Sequence, residues 1–174
     1  SHRGKDFVAC AAAAEARLRD VMGIPANYRV LFLQGGAMGQ FAGIPMNLTA
    51  PGDVINVLHT GQWTKKAISE AKRQGLTVDV IADEVASNYT TTPAAGSYQV
   101  DPEARYFYYT PNETIGGVEY SYVPDGGAVP LVADMSSTIL SRPVDVERFG
   151  VTFAGAQQKM GPAGLCVVLV RDDL

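Results

Sequence analysis

Short apolar runs recur along this chain, and most of them stop on a glycine or a polar residue. Tyr28–Leu33 runs into Gln34-Gly35-Gly36, and Asp53–His59 into Thr60-Gly61. Tyr106-Phe107-Tyr108-Tyr109 runs into Thr110-Pro111-Asn112-Glu113-Thr114-Ile115-Gly116-Gly117. Pro130–Ala133 ends on Asp134, and Val151-Thr152-Phe153 leads to Gly155-Ala156-Gln157. Leu76–Ile81 and Leu165–Val170 complete the set. Runs this short, rich in Val, Ile and aromatics and bounded by turn residues, predict strands buried on both faces.

The intervening segments carry a different period. Lys5 to about Asp20 predicts an alanine-rich helix, with Phe7, Val8, Ala12, Ala16 and Leu18 as its apolar stripe and Gly23 and Pro25 ending it. Ala37 to about Asn47 predicts a second helix, limited by Pro45, and Thr64–Gln74 a third, with Lys65, Lys66, Glu70, Lys72 and Arg73 on a solvated face. From Asp83 to Pro102 the pattern fades into an exposed loop. Val118–Val123 reads as a short strand or a helical turn. Alternating strands and helices predict an α/β fold: three layers around a mainly parallel sheet of about seven strands.

Size and charge narrow the function. The 174 residues, 47% apolar and 18% charged, suit one globular domain. A net charge of -4 argues against a nucleic-acid partner, which needs clustered Lys and Arg. Cys10 and Cys166 both read as buried core residues without a disulfide framework, which fits a reducing cytosol. No apolar stretch reaches the roughly 18 residues of a membrane span, no signal peptide is visible, and no Cys/His spacing suggests a metal. The chain opens on Ser-His-Arg without Met and stops just after a strand, so both ends read as cut.

In α/β sheets ligands bind beyond the carboxyl ends of the strands, so the polar tips predict one composite pocket. Gly35-Gly36 before a helix is an anion-binding arrangement, with free N–H groups and the helix dipole facing the ligand. Asp134 reads either as a cap or partner for Arg142 or Arg148, or as a carboxylate that keeps a ring nitrogen protonated, as pyridoxal phosphate requires. Trp63 reads as core packing or as a ring lying on a flat cofactor. Thr114 is a local cap or a hydroxyl donor. Arg3 suits a carboxylate, against the alternative of an exposed tail shared with His2. Lys159 is the one lysine in a late strand-end loop, where a pyridoxal enzyme would need its amine. Residue chemistry alone stops at an α/β domain suited to a phosphate-bearing cofactor.

Several motifs together carry a resemblance. Ser1-His2-Arg3-Gly4-Lys5, Gly35-Gly36-Ala37 with Gly39-Gln40-Phe41, Gly61-Gln62-Trp63, Pro111-Asn112-Glu113-Thr114-Ile115, Ala133-Asp134-Met135-Ser136-Ser137, Ser141-Arg142-Pro143, and Gly155-Ala156-Gln157 with Gly161-Pro162-Ala163-Gly164 occur in order along nearly the whole chain. They resemble the phosphoserine aminotransferases. The resemblance implies a fold type I architecture, pyridoxal 5'-phosphate as cofactor, a homodimer, and amino transfer between glutamate and 3-phosphohydroxypyruvate in serine, and in some bacteria vitamin B6, biosynthesis. It implies that residues 1–174 are the cofactor-binding large domain, without the small carboxy-terminal one.

The same resemblance assigns roles. Arg3 would hold the substrate carboxylate, with His2 near the substrate phosphate. Ala37 and Met38 would offer N–H groups to the cofactor phosphate, helped by Gln157. Trp63 would stack on the ring, Thr114 would bond the ring hydroxyl, and Asp134 the ring nitrogen. Two positions depart from the pattern. Gln158 stands where the family has its Schiff-base lysine, with Lys159 one residue later, and Met38 stands where some members carry Arg. The rival readings are a non-catalytic homologue or redesigned domain that holds the cofactor without a covalent link or not at all, and a binder of nucleotide phosphate at Gly35-Gly36.

Overall fold

The computed structural model of the chain describes residues 1–157 and 159–174. Seven strands form one sheet: β1 (Tyr28–Gln34), β2 (Val54–His59), β3 (Thr77–Asp83), β4 (Phe107–Tyr109), β7 (Leu131–Asp134), β8 (Val151–Gly155) and β9 (Leu165–Arg171). Their spatial order is β1-β9-β8-β7-β4-β2-β3. The pairs β2–β3, β2–β4, β4–β7 and β7–β8 are parallel. β9 is antiparallel to both its neighbours, β1 and β8. The mainly parallel sheet is therefore present, with one reversed strand. That reversal follows from the short connection after β8, since only antiparallel neighbours can be joined without a crossover.

Alternation within the strands explains why they read as continuous apolar runs. Tyr108, Val132, Phe153, Cys166 and Val168 face α2 (Gly36–Leu48) and α3 (Gln62–Arg73), which supply Phe41, Ile44, Ala67 and Ala71. Phe107, Tyr109, Leu131, Ala133 and Ala154 face the other way, against Tyr120, Val129, Met135, Ile139 and Phe149. The helices thus cover one face, and the opposite layer is built mostly from loop residues. Side chains buried on both faces leave no polar alternation to read.

α1 (Lys5–Met22) departs from expectation. None of its residues is fully buried, and Phe7 and Val8 are more than half exposed. Only its last turns touch the core, where Leu18 and Met22 pack on Ile24, Tyr28, Val30, Val167 and Leu169. Cys10 lies on this exposed helix and is not a core residue, whereas Cys166 is buried as expected. Alanine propensity formed the helix, and propensity does not decide which face meets a partner. Pro45 also sits inside α2 instead of ending it; the helix closes at Thr49, whose N–H and hydroxyl both donate to Pro45 O at 3.0 and 2.7 Å.

The segment after β4 folds into a two-stranded hairpin, β5 (Asn112–Glu113) against β6 (Val118–Glu119). It stands beyond the carboxyl end of the parallel strands, beside the N-terminus of α3.

Candidate active site

The strand tips converge on a cleft of about 240 Å³. Gly35 to Met38 contribute its first wall, Trp63 a second, Thr110, Asn112 and Thr114 a third. Asp134, Ser136 and Ser137 follow β7, and Gly155, Ala156 and Gln157 end β8. The composite pocket expected from the polar tips is therefore one physical space.

The first wall is the start of α2. No side chain caps this helix, and no acidic residue occupies its first turn. Its first backbone N–H groups lack intrahelical partners and face the cleft with the positive end of the dipole. A close approach brings this end to the tip of β8. A Cβ on Gly155 would stand 3.0 Å from Ala37 N and 3.3 Å from Ala37 Cβ, so glycine lets the helix start reach the sheet.

Asp134 is 6% exposed at the end of β7. Ser136 holds its Oδ1 twice, through the hydroxyl at 2.6 Å and the backbone N–H at 3.0 Å. Ser136 Oγ in turn accepts from Gly155 N at 3.0 Å. Among the described residues Oδ2 has no hydrogen-bond donor. Burial pushes the Asp134 carboxyl up to about 6, against the bonds from Ser136, which pull it down. Neither arginine considered as a partner reaches it. Arg142 pairs with Glu119 at 2.8 Å, and Arg148 donates to Val123 O at 2.9 Å. A buried acceptor oxygen facing a cleft, with no cation of the protein opposite, fits a protonated ring nitrogen.

Trp63 is half-buried, not a core residue, and its indole N–H donates to Thr114 Oγ1 at 2.9 Å. Lys66 Nζ lies 4.2 Å from the ring centroid. Asn112 Nδ2 donates to Ser137 Oγ at 3.0 Å, which ties the hairpin to the loop after β7.

Not every expected residue joins this group. His2 and Arg3 are exposed at the chain start and line no part of the cleft. Lys159 lies in a separate groove, beside α1 and with Phe32, Met160 and Val167. Gln158 lies outside the described residues. Ser136 and Glu113 were not singled out by the sequence. A serine two residues past a strand-end aspartate is an available signal for the first. Glu113 gave none, because a glutamate in a polar turn reads as solvated.

A cleft at the carboxyl ends of a parallel sheet, lined by both an uncapped helix start and a buried carboxylate, is a site suited to a phosphate-bearing cofactor. The Aminotransferase class-V family matches residues 1–174, and the chain belongs to it. Phosphoserine aminotransferases are among its relatives. It is 53% identical to that of Azotobacter vinelandii and 55% identical to that of Hahella chejuensis, over the whole chain and 48% of each relative. The phosphoserine aminotransferase of Bacillus circulans subsp. alkalophilus superposes with a TM-score of 0.95 at 48% identity, over 99% of this chain and 48% of that one. A pyridoxal-phosphate-bound phosphoserine aminotransferase from Trichomonas vaginalis gives 0.89 at 41% identity, over the same shares. The chain thus spans about half the length of the curated relatives it matches. Class-V aminotransferases depend on pyridoxal phosphate, and the free Asp134 oxygen and the uncapped start of α2 fit that group.

Proposed function

We propose that this chain is the pyridoxal-phosphate-binding portion of a phosphoserine aminotransferase, transferring an amino group between glutamate and 3-phosphohydroxypyruvate. The observation that carries the reading is the placement of Asp134: a buried carboxylate, with one oxygen free among the described residues, lining the same cleft as an uncapped helix start. In this reading Asp134 holds the ring nitrogen, and the N–H groups of Ala37 and Met38, with Gln157, hold the phosphate. Trp63 covers the ring. Thr114 uses its oxygen to accept from the indole, which leaves its proton for the ring hydroxyl oxygen. The cofactor supplies an electron sink for charge developing at the substrate α carbon. The resemblance assigns the substrate carboxylate and phosphate to Arg3 and His2, and extends to a homodimer in the cytosol. No helix among the described residues is long and apolar enough to cross a membrane.

A second reading is favoured by one observation. Lys159, the lysine nearest the family's covalent position, lines the groove beside α1 and not the cleft. The cleft would then hold the cofactor by non-covalent contacts alone. Visible absorbance on adding pyridoxal phosphate, then borohydride reduction and peptide mapping, separates the two. A label on Lys159 supports covalent chemistry. Saturable binding without a reducible label supports the second reading, and no binding at all overturns both.

A further inference from the structure

Among the described residues, Glu113 is the one fully buried carboxylate that the proposed function does not use. It is 0% exposed, in the hairpin strand β5. Its Oε2 accepts from Trp63 N at 2.8 Å, and its Oε1 accepts from Thr64 N at 2.8 Å and Thr64 Oγ1 at 2.7 Å. Both oxygens are thus spent on the first turn of α3, whose N-cap, Gly61, carries no side chain to do the work. These N–H groups have no partner within the helix, so a carboxylate reaching in from another segment replaces the usual local cap. Gly61 is itself shaped by this contact. A Cβ there would lie 2.7 Å from Glu113 Cδ and 2.8 Å from Oε2.

The next residue completes the arrangement. Thr114 accepts from the Trp63 indole N–H at 2.9 Å. The hairpin therefore grips Trp63 at two points, backbone and ring, through two adjacent residues. On the far side, Thr64 Oγ1 lies 3.0 Å from Thr110 Oγ1, which is 3.3 Å from Tyr108 OH. Thr110 lines the cleft, so the hold on α3 runs continuously into the cleft wall. A helix could be capped more cheaply by a local Ser or Asp. A fully desolvated carboxylate is a costly cap unless every lone pair is used, and here its acceptors all converge on the residue that forms a wall of the cleft and on its neighbour.

We propose that Glu113 is a positioning residue for Trp63: its carboxylate fixes the backbone of Trp63, Thr114 fixes the ring, and the hairpin thereby sets the plane that faces the cofactor. The role of that plane rests on the cofactor reading above; the clamp itself does not. Removing the carboxylate releases the backbone that carries the indole, so that Thr114 alone must hold the ring, while Asp134 and the start of α2 stay in place. If the freed ring occupies its wall position about one tenth of the time, apparent affinity for pyridoxal phosphate falls about tenfold.

Trp63 is the sole tryptophan, so its fluorescence reports the clamp directly. In Glu113→Gln, the amide NH2 must face one of two backbone N–H groups, that of Trp63 or that of Thr64, so one of the two bonds that hold the start of α3 is lost. The expected result, well below the unfolding midpoint and without cofactor, is a red-shifted emission and greater quenching by acrylamide, together with about tenfold weaker binding of pyridoxal phosphate. Glu70→Gln, half-buried farther along the same helix, should match the unmutated chain in all three. A lowered midpoint with unchanged emission and quenching would reduce Glu113 to a structural cap and overturn the proposal. Unchanged cofactor affinity alongside altered emission would keep the clamp and overturn its role at the cleft. Failure of the unmutated chain to bind pyridoxal phosphate would overturn the cofactor reading instead. Should Glu113→Gln not fold, hydrogen exchange on the unmutated chain decides: the Trp63 and Thr64 amides should be protected like strand amides, and fast exchange there would refute the clamp.

Discussion

Asp134→Asn should make this protein more stable and worse at holding its cofactor. The native carboxyl is shifted by burial from 3.8 up to about 6, because its ionised form has lost water and gained only the Ser136 bonds on one oxygen. The sign follows from linkage. Below about pH 4 the carboxyl is protonated in both the folded and unfolded chain, and burying it costs no ionisation. As pH rises through about 6 the native carboxyl must ionise in its buried site, and stability is lost. The rise from 3.8 to about 6, at about 1.4 kcal/mol for each tenfold change in acidity, amounts to about 3 kcal/mol above pH 7. An amide of the same shape keeps an acceptor for Ser136 and carries no charge. Urea unfolding of both chains from pH 4 to pH 8 is the assay. The variant should gain about 3 kcal/mol at pH 8, about 6–12 °C in midpoint for a domain of this size, with the gap closing by pH 4. Cofactor affinity should move the opposite way, because an amide cannot hold a ring nitrogen protonated. Equal stabilities at pH 8, or a gap that does not change with pH, would refute the reasoning.

Three further outcomes follow from neighbouring contacts. Ser136→Ala removes the 2.6 Å hydroxyl bond to Asp134, so the pH at which the protein loses stability should move up by about one unit, read from the same unfolding series. Gly155→Ala places a Cβ 3.0 Å from Ala37 N and must push the start of α2 off the sheet, with a loss of about 1–3 kcal/mol and weaker pyridoxal-phosphate binding by titration. Tyr28→Phe leaves the carbonyls of Phe149 and Val146, now 2.5 and 3.1 Å from the hydroxyl, without that partner in the core, at about 1–3 kcal/mol in urea and with cofactor affinity unchanged.

The sequence by itself located the seven strands of the sheet and the three helices. Apolar runs such as Tyr106–Tyr109 and Leu165–Val170 are too short for helices and are bounded by turn residues, so they read as strands buried on two faces with their polar tips at the strand ends. That is local information, carried by residue volume, period and backbone freedom. It also placed Ala37, Met38, Trp63, Thr114, Asp134 and Gln157 at strand ends, which is why they share one cleft. The tertiary structure decided what distance along the chain conceals. It turned β9 against its neighbours, left α1 and Cys10 exposed, and carried Lys159 into a groove away from the cleft. It also brought Glu113 back across fifty residues to the start of α3. A helix whose apolar stripe is mostly exposed looks the same in sequence as one that is packed, and a buried glutamate looks the same as a solvated one. Burial and partnership are properties of pairs of segments, and only the folded chain brings those pairs together.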